Sequence, residues 1–154
     1  MSISDKQLVL EEQLSFILYL CSKETIKRYK SYLDPLGITY TQYLALLVLW
    51  NENGVTVNEL SRKLYLDSGT LTPLMKKLQT KELVERLRDP EDERVVRLFL
   101  TEKGQQLKEQ VRHIPGEILD STGVPAEEAS EILETLKSVL ERTTNTSFGT
   151  DETK

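Results

Sequence analysis

Cys21 is the single thiol of this 154-residue chain. A thiolate is the side-chain group that peroxides oxidise reversibly, first to a sulfenic acid. It lies in the stretch LEEQLSFILYLCSKE, residues 10–24, where Ser15 sets a small hydroxyl into an apolar run. Read as one continuous helix, the six residues between them turn through about 600°. Cys21 then points roughly 120° away from Ser15 and lies ~9 Å further along the axis. It shares a face with Leu14, Ile17 and Leu18, the environment of a buried, inert thiol. A serine is no redox sensor, because its hydroxyl is neither ionised nor soft. Other catalytic chemistry is thin. His113 stands alone beside a helix end, and no cluster of Cys, His, Asp or Glu has metal-ligand spacing. A thiol peroxidase built on Cys21 would lack a resolving cysteine and a cationic neighbour. The expectation is a non-enzyme without a cofactor.

A second set of residues suits phosphates and bases. Net charge is −5, yet residues 61–100 carry nine Lys/Arg against seven Asp/Glu, a balance of +2, and the remainder carries 11 against 18, or −7. Phosphate contacts are local and screened beyond about 8–10 Å, so a basic segment on an acidic body can bind DNA. Within it, TLTPLMKKLQT reads as a helix with Leu71, Leu74, Met75 and Leu78 on one face. Gly69, Pro73, Lys76 and Thr80 lie opposite, flanked by Thr70, Thr72 and Lys77. Small groups at the N-terminal end, Ser68 to Pro73, let a helix enter the major groove, and Lys76 and Lys77 can take phosphates. Further on, Arg94 sits among the acids Glu91, Asp92 and Glu93, which themselves read as a solvated tip. A tip arginine can enter an A·T-rich minor groove, and Asp92 can hold its guanidinium.

The elements that must position these residues follow from pattern. A first helix is expected from about Asp5 to Leu33, and DPLG at 34–37 breaks it. From 14 to 21 it is apolar nearly all round, so it needs cover on more than one side, and a partner subunit is the expected cover. TQYLALLVLWNENG is a second helix ending at Asn53-Gly54, with Trp50 in the core. TVNE at 56–59 is a capping box opening a short helix to about Tyr65. LDSG is a tight turn before the fourth helix. Alternation at Leu83, Glu85, Leu87 and at Val96–Leu100, separated by DPEDE, predicts a β-hairpin with a long charged tip. Thr101 caps a helix through EKGQQLKEQVRHI, which Pro115 kinks or ends. Pro125 starts a last helix with Ile132, Leu133, Leu136, Val139 and Leu140 on its apolar face. The fold class is mainly α with a small β-hairpin wing. Residues 5–33 and 104–143 are expected to dimerise, 38–101 to form a winged helix-turn-helix lobe, and 145–154 to be disordered. No apolar run approaches the ~20 residues of a membrane span, and the start lacks a basic n-region, so the cytoplasm is expected.

DERVVRLFLTEKG resembles the wing motif of the MarR family, with its D-x-R followed by L-T. YLDSGTLTPLMKKL, LGITYTQYLALLVLW and LEEQLSFILY resemble the organic-hydroperoxide-responsive, OhrR-type branch over residues 8 to 114. The resemblance implies a homodimeric repressor on a palindromic double-stranded operator, with an organic hydroperoxide as inducer if a cysteine holds the sensor position. In this chain that position is Ser15. The two tyrosines that reach the sensor across the dimer map onto Tyr29 and Tyr40, and Tyr19 lies one turn after Ser15. Three accounts of Ser15 stand open: a Cys-to-Ser change that locks the DNA-binding state, a natural serine in a protein answering another signal such as a small aromatic ligand, or sensing displaced to Cys21.

Overall fold

A computed structural model describes residues 8–145. Seven helices and one hairpin are present among them. α1 spans Leu14–Leu33, α2 Tyr40–Asn51, α3 Val57–Leu64, α4 Ser68–Thr80, β1 Val84–Arg88, β2 Val96–Leu100, α5 Glu102–Val111, α6 Ile114–Thr122 and α7 Ala126–Thr144. The chain divides into two compact units, one ending at Ile114 and one starting at Pro115.

Four helix starts are written in local hydrogen bonds, the Thr101 cap of α5, whose Oγ1 accepts from the Gly104 amide (3.0 Å), among them. Thr39 and Gln42 form a capping box at α2, in which the Gln42 amide donates to Thr39 Oγ1 (3.3 Å) and the Thr39 amide to Gln42 Oε1 (3.1 Å). Thr56 and Glu59 do the same at α3, at 2.6 and 3.1 Å. Asp67 Oδ1 accepts from the Thr70 amide (2.7 Å) at α4. The expected TVNE box is therefore present, whereas the Thr39 box moves the start of α2 one residue earlier and its end falls at Asn51. LDSG is a cap rather than a separate turn, because Ser68 and Gly69 already belong to α4.

The core of the first unit is the meeting of α2, α3 and α4 with the hairpin. Leu46, Leu49, Leu60, Leu71, Leu78 and Leu98 are buried there. β1 and β2 pair antiparallel, Val84 with Leu100 through Arg88 with Val96. The α2–α3 connection adds a short third rung: the Gly54 amide donates to the Leu98 carbonyl and the Leu98 amide to the Val55 carbonyl, both at 2.9 Å. Gly54 is required at this turn. Its φ is +88°, and a Cβ there would lie 2.8 Å from the Phe99 ring.

α1 departs from the expected span. Residues 1–7 lie outside the described chain. Leu10–Glu12 is a 3₁₀ turn, and Gln13 is extended (φ −84°, ψ 110°), so the helix begins at Leu14. The run LEEQLSFILYLCSKE is thus a turn plus a helix, and Leu10 is not part of the helical stripe. Pro115 acts as expected: α5 stops at Val111 and α6 begins at Ile114, with the proline in its first turn, where no intrahelical donor is needed. Pro125 precedes α7. The expected disordered tail, beyond Asn145, falls outside the described residues. No described helix is long and apolar enough to cross a membrane.

Candidate nucleic-acid interface

α4 buries Leu71, Leu74, Met75 and Leu78 and leaves Ser68, Gly69, Thr70, Thr72, Pro73, Lys76, Lys77 and Thr80 exposed. The split follows the 3.6-residue period, so all six α4 residues singled out from the sequence share the solvent side. Pro73 has no N–H, which leaves the Gly69 carbonyl without its intrahelical donor on that same side. No ion pair ties down Lys76 or Lys77 among the described residues. The end of α4 is anchored instead by Lys81, whose ammonium donates to the Gly37 carbonyl and to Gln42 Oε1.

The hairpin tip is ordered by its own side chains. Arg94 Nε donates to Asp92 Oδ1 (3.0 Å) and Nη2 to Oδ2 (3.3 Å), while the Arg94 amide also donates to Oδ1 (3.1 Å). This fork holds a guanidinium that is 91% exposed. The hydrogen bonds from Arg94 hold the Asp92 carboxyl below the usual carboxylate range.

The residues expected around a sensor fall into two groups. Tyr29 and Tyr40 are together, ring centroids 4.9 Å apart, and with them lies Tyr43, which the sequence reading did not single out. Tyr43 is buried and packs edge-on against Trp50, whose indole N–H donates to the Gly104 carbonyl (2.9 Å). Burial raises the phenol pKa of all three. Tyr43 is raised most, because Tyr29 and Tyr40 crowd it and its hydroxyl donates to Tyr29. The phenols are therefore neutral donors at physiological pH. The signal for Tyr43 was its i, i+3 spacing from Tyr40 on α2.

Ser15 and Tyr19 form the other group, near the start of α1. Both are exposed, as is Cys21. In the single chain the stripe beside Cys21 is uncovered, with Leu14 67% and Ile17 44% exposed, on the face for which a partner subunit is the expected cover. His113 is also exposed, edge-on to Tyr32. Among the described residues, no group of three or more His, Cys, Asp or Glu is placed to hold a metal.

Comparison with known proteins gives the frame for this geometry. A family model described as the transcriptional regulator SarA/Rot matches residues 27–111, more than half the chain. The organic hydroperoxide resistance transcriptional regulator of Bacillus subtilis is 48% identical over 132 residues, covering 86% of this chain and 90% of that protein. The chain belongs to the MarR family of winged-helix transcriptional regulators, in its organic-hydroperoxide branch. Other relatives of this regulator include the HTH-type transcriptional regulator SarZ of Staphylococcus saprophyticus, 39% identical over 91% of this chain and 96% of that one. A solved structure of reduced AbfR bound to DNA superposes with a TM-score of 0.75 at 37% identity, covering 92% of this chain and 99% of that chain.

Proposed function

We propose that this regulator is a homodimeric repressor that binds a palindromic operator, with α4 in the major groove and Arg94 of each wing in the minor groove. One observation carries the reading: a single compact unit pairs a helix end of small, solvent-facing hydroxyls with an arginine fixed at a hairpin tip by its own carboxylate. Thr70 and Thr72 then meet base edges, Lys76 and Lys77 meet phosphates, and Arg94 senses groove width and potential. The solved relative of 37% identity, reduced AbfR, is bound to DNA, which supports DNA binding by this chain. Dimerisation is supported by uncovered apolar side chains on α1 (Leu14, Ile17) and on α7 (Ile132, Leu133, Leu136).

Anisotropy titration of a labelled operator across salt concentrations tests the interface. Arg94→Ala should weaken binding by about tenfold or more, the scale of lost groove contacts. Lys76→Ala should lower the salt slope by ~1.8, at ~0.9 per phosphate contact and two copies per dimer. Unchanged affinity for Arg94→Ala would refute the wing assignment.

As an inducer-sensing protein, the chain as written is held in the DNA-binding state, because Ser15 occupies the sensor position and carries no oxidisable atom. Two other routes to release have an observation behind them. Cys21 is the single thiol of the chain, so oxidation by a hydroperoxide that releases the operator would fall there. A cavity of about 410 Å³, with Lys81, Lys103 and Gln106 beside Leu36, Leu83 and Leu107, favours a small aromatic acid. Operator release after cumene hydroperoxide or after an aromatic carboxylate separates the three.

A further inference from the structure

The wing is attached to the helix-turn-helix body through its two strands in different ways. β2 is pinned by backbone, through the Gly54–Leu98–Val55 hydrogen bonds and a bridge between Thr56 and Arg97. Among the described residues β1 has no such backbone rung on its outer side, since the sheet order is β1–β2. Its end at Asp89 is reached by one side chain. Arg97 Nε donates to Asp89 Oδ2 at 2.5 Å, and its Nη1 donates to the Gly54 carbonyl at 3.1 Å. The Asp89 side chain is only 13% exposed and accepts a further bond at Oδ1 from the Glu91 amide (2.9 Å). Arg88 on β1 donates to the Glu93 carbonyl across the tip (2.8 Å). A chain of charge-assisted bonds therefore runs from the α2–α3 turn, through Arg97 and Asp89, into the loop that carries Asp92 and Arg94.

We infer that Arg97 is a positioning residue for DNA recognition: its fork clamps the wing tip to the α2–α3 turn and so sets where Arg94 meets the groove. The inference rests on the reading of Arg94 as the minor-groove contact. A forked guanidinium suits this task, because its planar donors fix direction as well as distance, and it spans a carboxylate and a carbonyl at once. Each end of the clamp lies on a different segment, so breaking it frees the tip without removing any group that touches DNA. Arg97 acts at one remove, through the placement of Arg94.

The test is a double-mutant cycle on the full-length protein with its operator DNA. Arg97→Gln should weaken operator binding by roughly tenfold, the order of one lost groove contact. In an Arg94→Ala background the same substitution should change affinity less than about twofold, because there is no longer a contact to misplace. Hydroxyl-radical footprinting should show lost protection at the outer minor-groove positions and retained protection under α4. Asp89→Asn breaks the same clamp from the other end and should give the same pattern, which covers the case in which Arg97→Gln fails to fold. Equal losses in both backgrounds, or a full wing footprint in both clamp variants, would overturn the inference. If Arg94→Ala alone has no effect, the wing reading itself falls.

Discussion

Replacing Ser15 by cysteine should convert a peroxide-blind repressor into a responsive one, and the geometry says which groups would do it. Ser15 and Tyr29 are both on α1, fourteen residues apart, or about 21 Å along the axis at 1.5 Å per residue. A tyrosine side chain cannot bridge that gap, so Tyr29 of the same chain cannot activate a thiol at position 15, whereas Tyr19, one turn on, flanks it. The Tyr29 phenol of a second subunit would reach it if the two α1 helices pack antiparallel. Burial keeps the Tyr29 and Tyr40 phenols neutral, so they would donate hydrogen bonds to a thiolate and favour it over the thiol. An ordinary thiol, pKa about 8.5, is roughly 3% thiolate at pH 7, and each unit of lowering raises that fraction several-fold. The assay is stopped-flow oxidation by cumene hydroperoxide, with the modified residue mapped by mass spectrometry and operator release followed in parallel. Ser15→Cys should oxidise and release, and Tyr29→Phe with Tyr40→Phe should slow it several-fold. Mixed dimers locate the effect: a Ser15→Cys subunit should be slowed only when its partner carries the Phe substitutions. Slowing by substitutions in the same subunit would refute the antiparallel arrangement. Release of the unaltered chain, with oxidation mapped to Cys21, would make Cys21 the sensor.

Three further outcomes are expected. The protein should sediment as a dimer at micromolar concentration, and Ile17→Glu, which puts a charge into the uncovered α1 stripe, should shift it toward monomer; an unchanged profile would place the interface elsewhere. Gly104→Ala should destabilise by about 1–3 kcal/mol in urea unfolding, against the usual helical gain of up to ~1 kcal/mol, because the new Cβ would sit 2.2 Å from the Leu83 backbone carbonyl oxygen. Glu59→Gln should cost roughly 0.5–1 kcal/mol at neutral pH. The Thr56 amide bond lowers the Glu59 pKa, so this contribution is full above the ordinary carboxylate range and fades as pH falls through the lowered value. Native and Gln variants should then converge in stability as pH falls through that lowered value, and a pH-independent difference would argue against the charged cap.

What could be read from the sequence was what is decided within a few residues. The TVNE box, the hairpin, the Thr101 cap and the two proline boundaries are all local, and each is present, although burial does not alternate along β1, where Val84 is buried and Leu87 is exposed. The start of α1 was misread because Leu10 and Leu14 keep helical spacing and nothing between them is Gly or Pro; periodicity reports a face, not the continuity of the backbone through Gln13. Cys21 shows a related limit. Periodicity names the side that must be covered, while the cover itself is absent from a single chain.

The two arginines of the wing show the same limit at the candidate interface. Arg94 takes its partner two residues away, so D-x-R could be read directly as a carboxylate holding a guanidinium. Arg97 takes its partners from eight and 43 residues away, and no local pattern joins them. Its one local mark is that it is the only charged residue in the strand VRLFL, 96–100. The Arg97 side chain is 40% exposed, so its charge alone does not demand a partner, and the pairing is visible only in the structure. Here that partner is the carboxylate that begins the wing tip. A residue that looks like a fault in the strand pattern thereby adds a side-chain tie to the backbone bonds that Leu98 makes with Gly54 and Val55.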